Sequence, residues 1–133
     1  MAGYAAQVDQ IGGFQYWMPE SERHNSSLYY KWLTNNCRRG LLYVDTGKFG
    51  IVAHNYVGVW LVNSVNINID AGVRINKGDE TGYFLYGGST ITVLFQKNAL
   101  KDITVNVGDT IQFGERMAIA NMDFYNELDK QEL

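Results

Sequence analysis

The 133-residue sequence has one cysteine, one proline and two histidines. The single cysteine, Cys37, excludes an internal disulfide, supplies no thiolate cluster for a metal ion, and leaves the cell compartment open. The two histidines, His24 and His54, are the side chains whose ordinary pKa suits a general base near neutral pH. We interpret His54 as a core or rim residue of a strand and His24, in a polar stretch, as solvated.

The sequence also lacks a large net charge and long apolar runs. The net charge of -3 arises in the last thirteen residues, which carry four acidic side chains against one lysine. The remainder is neutral overall, so the sequence offers no electrostatic patch for nucleic acid or for an anionic membrane. No apolar run approaches the ~20 residues that a membrane-spanning helix needs, and we expect no membrane span. The chain does not open with the pattern of a signal peptide.

What the sequence does contain is short, β-prone segments. Hydrophobic residues make up 46% and aromatic residues 14%, which excludes a disordered chain and predicts one folded domain. Residues 3–17 predict a strand pair around Gly12 and Gly13, and residues 39–62 predict a hairpin whose turn is at 46–48. Residues 64–70 alternate apolar and polar side chains, which is typical of a strand with one face exposed to solvent.

A repeated pattern predicts the architecture. Residues 73–79 and 103–109 both combine β-branched positions with a closing Asn-x-Gly-Asp turn, which suggests a pseudo-symmetric β sandwich. Residues 110–113 are predicted as the last core strand, and the apolar positions after residue 121 predict a short amphipathic helix. The sequence therefore predicts a mainly β, barrel-sandwich-like domain over residues 1–120. An acidic tail, helical in our interpretation, follows over 121–133.

Residues 76–96, NKGDETGYFLYGGSTITVLFQ, join a tight turn, an aromatic strand, a diglycine followed by two hydroxyl residues, and a β-prone run. In an arbitrary β protein, Gly-Gly-Ser-Thr is simply a turn that leads into a strand. Together with the flanking Lys-Gly-Asp-Glu, Gly-Tyr-Phe and Leu-Phe elements, however, the segment resembles the signature of the phosphatidylserine decarboxylase family. The resemblance extends over about residues 13–120. It implies a core like that of the biotinyl carriers, although Lys48 lacks the flanking residues of a carrier's attachment site.

The resemblance implies a specific chemistry at Gly88 and Ser89. In that family the serine hydroxyl attacks the preceding carbonyl, the chain breaks, and the serine becomes a pyruvoyl prosthetic group. Here the products would be residues 1–88 and 89–133. The pyruvoyl group is the electron sink for decarboxylation of an amine-bearing substrate, either an amino acid or an aminophospholipid headgroup. Gly88 leaves its carbonyl open to attack, and Gly87 and Gly88 both tolerate strained backbone dihedrals.

Family membership and activity are separate questions, because a serine needs a base before its hydroxyl becomes a nucleophile. In the family, that base comes from an aspartate and a His-x-x-His-type element upstream, and neither His24 nor His54 lies in such an element. We therefore expect an uncleaved, catalytically silent module without a cofactor, which self-assembles as a homo-oligomer or binds a partner, with strands such as residues 64–70 pairing between copies. The alternative is a pyruvoyl-dependent decarboxylase that cleaves itself between Gly88 and Ser89.

Overall fold

The computed structural model describes residues 2–13, 36–47, 49–59, 62 and 64–124, and the regular secondary structure of these residues is almost entirely β-strand. The strands of the described residues are β1 (Gly3–Ile11), β2 (Arg38–Asp45), β3 (Ile51–Gly58), β4 (Val65–Ile67), β5 (Arg74–Ile75), β6 (Gly82–Phe84), β7 (Thr90–Phe95), β8 (Leu100–Ile103) and β9 (Ala118–Ala120). The mainly β prediction is confirmed.

The central element is a five-stranded antiparallel sheet in the order β5-β1-β2-β3-β7. Two small antiparallel pairs, β4-β6 and β8-β9, accompany it. The main sheet curls into a half-barrel, in agreement with the barrel-sandwich-like architecture predicted from the sequence. A register shift in β1 between Ala5 and Gln7 adds local twist to this sheet.

The β2-β3 hairpin forms where the sequence predicts it, with a regular register from Arg38 opposite Gly58 to Asp45 opposite Ile51. The Thr46 hydroxyl closes the turn, since its Oγ1 donates to the Gly50 carbonyl at 2.8 Å and accepts from the Phe49 amide at 3.0 Å. Gly50 has φ of 62°, a left-handed conformation that favours glycine. This turn sets the register between β2 and β3.

The hydrophobic core lies on the face of β2 that points into the curl. Leu42 and Val44 are 1% and 4% exposed and pack with Ala5, Tyr56, Val65 and Ile75. The predicted alternation of residues 64–70 is confirmed, because Val65 is buried and Ile67 and Ile69 pack against the same cluster. The regular strand is shorter than predicted and covers only Val65–Ile67.

The repeated Gly-Asp pattern corresponds to two turns of the same geometry. The Asp79 carboxylate accepts from the Asn76 amide at 2.7 Å, and the Asp109 carboxylate accepts from the Asn106 amide at the same distance. The two turn glycines have φ near 97°. The neighbouring strands differ, however, since β5 joins the main sheet whereas β8 pairs with β9.

The prediction of a strand over residues 110–113 is wrong. This segment leads into a third turn of the same kind, in which the Glu115 carboxylate accepts from the Gln112 amide at 2.8 Å and Gly114 has φ of 82°. Phe113 stands at the tip of this turn and is 93% exposed, so no sheet neighbour covers it. The local side-chain to backbone bond outcompetes strand pairing here.

Two predictions fall partly or wholly outside the described residues. The second strand of the predicted N-terminal pair, residues 14–17, lies outside them. Only Met122 to Phe124 of the predicted tail helix are described, and these three residues form one helical turn. The proposed boundary between a β domain and a tail at residue 120 stays a prediction.

Candidate functional site

Gly88 and Ser89 lie in the connection between β6 and β7, directly before the first residue of β7. β7 is held by β3, with Thr90 opposite Val57 and Phe95 opposite Val52. Because this register is unbroken, the position of Ser89 at the end of β3 follows from the sheet itself. The structure therefore places the candidate serine where the connection after β6 joins β7.

The Ser89 hydroxyl is engaged on both of its hydrogen-bonding sides by the main chain at the end of β3. Its Oγ donates to the Val57 carbonyl at 2.5 Å and accepts from the Val59 amide at 3.0 Å. Main-chain bonds of this kind need no particular side chain at positions 57 and 59, so no residue pattern predicts them. They fix the hydroxyl and attach the beginning of β7 to the end of β3.

The peptide before Ser89 is open to solvent. Tyr86 has φ of 67° and Gly87 has φ of 124°, the second of which only glycine adopts readily. A Cβ atom built at Gly87 or Gly88 would have no neighbour within 4 Å. The space beside the α-carbons of Gly87 and Gly88 is thus open, and both residues are exposed.

His54 does not approach this serine. It lies in β3 three residues before Val57, which corresponds to roughly 10 Å along the strand. It shares a face with Tyr56, and the two rings stack with centroids 6.3 Å apart. Burial lowers the pKa of His54 below 6.5. His54 is therefore a partly buried strand residue, as predicted, and His24 lies outside the described residues.

The depressed pKa of His54 predicts a pH dependence of stability. The unfolded chain binds a proton at His54 below about pH 6.5, whereas the folded chain does so only at lower pH. The free energy of unfolding should therefore fall as the pH decreases from 6.5 toward the folded-state pKa. We expect His54→Gln to weaken this decrease. An NMR titration that places the pKa of the folded histidine at or above 6.5 would contradict the assignment.

Cys37 packs with Val57 and Val59, the residues whose main chain bonds to Ser89 Oγ. Cys37 is 2% exposed, and burial raises the pKa of its thiol, which disfavours the reactive thiolate. Within the described residues, no group of three or more His, Cys, Asp or Glu side chains is arranged to hold a metal ion. Among the described residues, the hydrogen-bonding partners of Ser89 Oγ are main-chain groups.

Comparison with known proteins agrees with this geometry. The family model described as phosphatidylserine decarboxylase matches residues 3–119, and this range includes the whole described sheet and the Gly88-Ser89 peptide. The chain belongs to the phosphatidylserine decarboxylase family. The family assignment made from residues 76–96 is therefore confirmed.

Curated members of the family align with most of the chain. The phosphatidylserine decarboxylase proenzyme 2 of Oryza sativa subsp. japonica is 31% identical over 115 residues, which is 81% of this chain and 18% of the relative. The proenzymes of Fusobacterium nucleatum and Clostridium perfringens are each 29% identical, covering 83% of this chain and 36% and 40% of the relatives. The chain thus spans less than half the length of these relatives. No solved structure matches.

No helix in the described part of the chain is long and apolar enough to cross a membrane.

Proposed function

We propose that this member of the phosphatidylserine decarboxylase family stays uncleaved and catalytically silent and acts as a binding or self-assembling module. The observation that carries the proposal is the hydrogen bond from Ser89 Oγ to the Val57 carbonyl at 2.5 Å. An amide carbonyl is a very weak base, so this contact orients the hydroxyl without activating it. Among the described residues the other partner of Ser89 Oγ is the Val59 amide, which is a donor.

Cleavage would require two changes at Ser89. A base would have to displace the Val57 carbonyl and take the hydroxyl proton, and Oγ would have to reach the Gly88 carbonyl carbon, forming an ester as the Gly88-Ser89 amide breaks. Each change gives up an interaction that holds β7 against β3. In the proposed function, Ser89 is a structural residue that secures the beginning of β7.

A structural role for Ser89 predicts a loss of stability in Ser89→Ala. The substitution removes a donor and an acceptor from a half-buried site and leaves the Val57 carbonyl and the Val59 amide without this partner. We expect the free energy of unfolding to fall by about 1–2 kcal/mol. Denaturant unfolding measures the effect. Thr110→Ala is the control, because Thr110 is exposed, and it should stay within about 0.5 kcal/mol of the wild type.

Exposed apolar side chains support the assembling part of the proposal. Ile91 and Leu94 are 51% and 57% exposed on β7, which is the last strand of the main sheet in the described part of the chain. An edge strand without charge or proline is a typical site of pairing between copies. β4 is a poorer candidate than the sequence suggested, because it already pairs with β6.

The second candidate function is a pyruvoyl-dependent decarboxylase of an amino acid or aminophospholipid headgroup, as the relatives' names suggest. The open space beside Gly88 favours it, since a Cβ at position 88 would meet nothing within 4 Å. If a pyruvoyl group formed at position 89, the Val59 amide, which donates to Ser89 Oγ, would be the described donor available to one of its oxygens. When present, this group supplies the electron sink for loss of carbon dioxide. In this case Ser89 would be the precursor, and a base from elsewhere would have to reach it.

The two functions are distinguished by comparing the purified wild-type chain with Ser89→Ala on a denaturing gel. The silent module predicts one band for both proteins, and light scattering then reports the assembly state. Two wild-type bands that merge into one in the variant would establish the decarboxylase route. Amino acids would then be screened as substrates.

A further inference from the structure

An open cleft of about 450 Å³ lies at the opposite end of β7 from Ser89. Phe49 and Phe95 line it, together with Met117 and the charged residues Lys77, Glu115 and Arg116. Since Phe95 is the last residue of β7, the cleft is roughly 20 Å from Ser89 along the strand. The cleft is therefore separate from the candidate processing site.

Two turns bring the cations of the cleft together, although they are far apart in the sequence. Lys77 lies in the turn that the Asp79 carboxylate closes, and Arg116 follows the turn that Glu115 closes. The turns are neighbours, because a Cβ built at Gly78 would lie 3.9 Å from Cζ of Phe113. The backbone at Arg116 is fixed as well, since its carbonyl accepts from the Thr104 hydroxyl at 3.0 Å.

The lining of the cleft carries two cations, Lys77 and Arg116, and one carboxylate, Glu115. Within the described residues, neither Lys77 nor Arg116 forms an ion pair or a side-chain hydrogen bond. The acidic residue of the lining, Glu115, directs Oε2 to the Gln112 amide at 2.8 Å. Among the described residues, the two cations of the cleft lining thus have no side-chain partner, while the nearby carboxylate is held by the main chain.

The remaining wall is apolar. Phe49 and Phe95 are half-buried, and Met117, whose side chain adapts to irregular shapes, is 38% exposed. A cleft of this size holds a molecule of a few to about twenty non-hydrogen atoms, within the usual range of small-ligand sites. Such a ligand would place its apolar part against the phenylalanines and its anionic group between Lys77 and Arg116.

We propose that this cleft binds a small amphipathic anion: a phosphate or carboxylate attached to an aromatic or short aliphatic body. Arginine offers paired donors to either anion and lysine adds a compact charge, while the two rings select against a bare ion. The proposal names a ligand class for the binding function and does not depend on whether Ser89 is processed. Its failure would leave the role of Ser89 unchanged.

The test is a titration of the full chain with phenyl phosphate, followed by the backbone amide signals in NMR. We expect saturable shifts at residues 114–118 and at Lys77. The double variant Lys77→Gln/Arg116→Gln should weaken binding by about tenfold or more, because two charge-assisted contacts are lost. Both side chains are exposed, so the variant should fold, and its melting temperature checks this. Lys101→Gln, an exposed lysine of β8, is the matched control and should bind as the wild type does.

Two further titrations distinguish the possible sources of the anion. Inorganic phosphate should bind more weakly than phenyl phosphate, and equal affinity would overturn the amphipathic assignment. Vesicles of phosphatidylcholine with phosphatidylglycerol test a lipid surface. Binding to these vesicles without binding of phenyl phosphate would overturn the small-ligand cleft, as would equal affinity of the double variant and the wild type.

Discussion

Replacement of Leu42 by alanine is expected to lower the free energy of unfolding by about 3 kcal/mol. Leu42 is 1% exposed and lies in the middle of β2, the central strand of the main sheet, so neighbouring strands surround it on both sides. It contacts the cluster that contains Ala5, Tyr56 and Val65. The expected loss is the sum of two costs. One is the transfer free energy of the removed atoms, and the other is the cost of a cavity that the paired strands cannot close.

The matched control is Leu94→Ala, in which the same atoms are removed from an edge-strand side chain that is 57% exposed. We expect an effect below about 1 kcal/mol for this variant, because much of the side chain already contacts water. Chemical denaturation of both variants measures the difference. If Leu42→Ala were no more destabilising than Leu94→Ala, the result would contradict the burial of Leu42 in the core of the half-barrel.

Gly82→Ala is expected to destabilise the protein by about 2 kcal/mol, through overlap rather than through a cavity. Gly82 pairs with Ile67 at the beginning of β6, and a Cβ at this position would overlap the main-chain carbonyl oxygen of Asn66. A backbone atom cannot rotate away as a side chain can, so the β4-β6 pair would have to separate. The pair packs on the core through Val65 and Phe84, so the strain is transmitted there.

Gly88→Ala is the control for this substitution, since a Cβ at Gly88 has no neighbour within 4 Å and no left-handed φ opposes it. Its free energy of unfolding should remain within about 0.5 kcal/mol of the wild type. Thermal or denaturant unfolding compares the two alanine variants directly. Equal effects of Gly82→Ala and Gly88→Ala would show that the close approach of β6 to Asn66 does not exist in solution.

Much of the fold was predictable because its signals are local. The β2-β3 hairpin follows from two β-prone runs around a Thr-Gly turn, and the inward face of residues 64–70 follows from strict alternation. The turns at 76–79 and 106–109 share one geometry because each combines asparagine, glycine and aspartate at the same spacing. The same reasoning failed for residues 110–113, where Glu115 closes a turn that strand propensity cannot detect.

The candidate site was predictable only in part. The motif around Gly88 and Ser89 identified the family and the position of the serine, and both predictions depend on residue identity alone. The bonds of Ser89 to Val57 and Val59 depend on the register between β3 and β7. The convergence of Lys77 and Arg116 similarly depends on how distant turns pack. Such tertiary proximity leaves no trace in the spacing of residues along the chain.

We propose that the main chain at the end of β3 holds the Ser89 hydroxyl and that the chain stays uncleaved. Intact mass under denaturing conditions, measured on freshly purified protein, tests it most directly. We predict a single species at the mass of the whole chain, 15.1 kDa. Two fragments divided between Gly88 and Ser89, the second with a blocked pyruvoyl terminus, would contradict the claim and identify the protein as a decarboxylase.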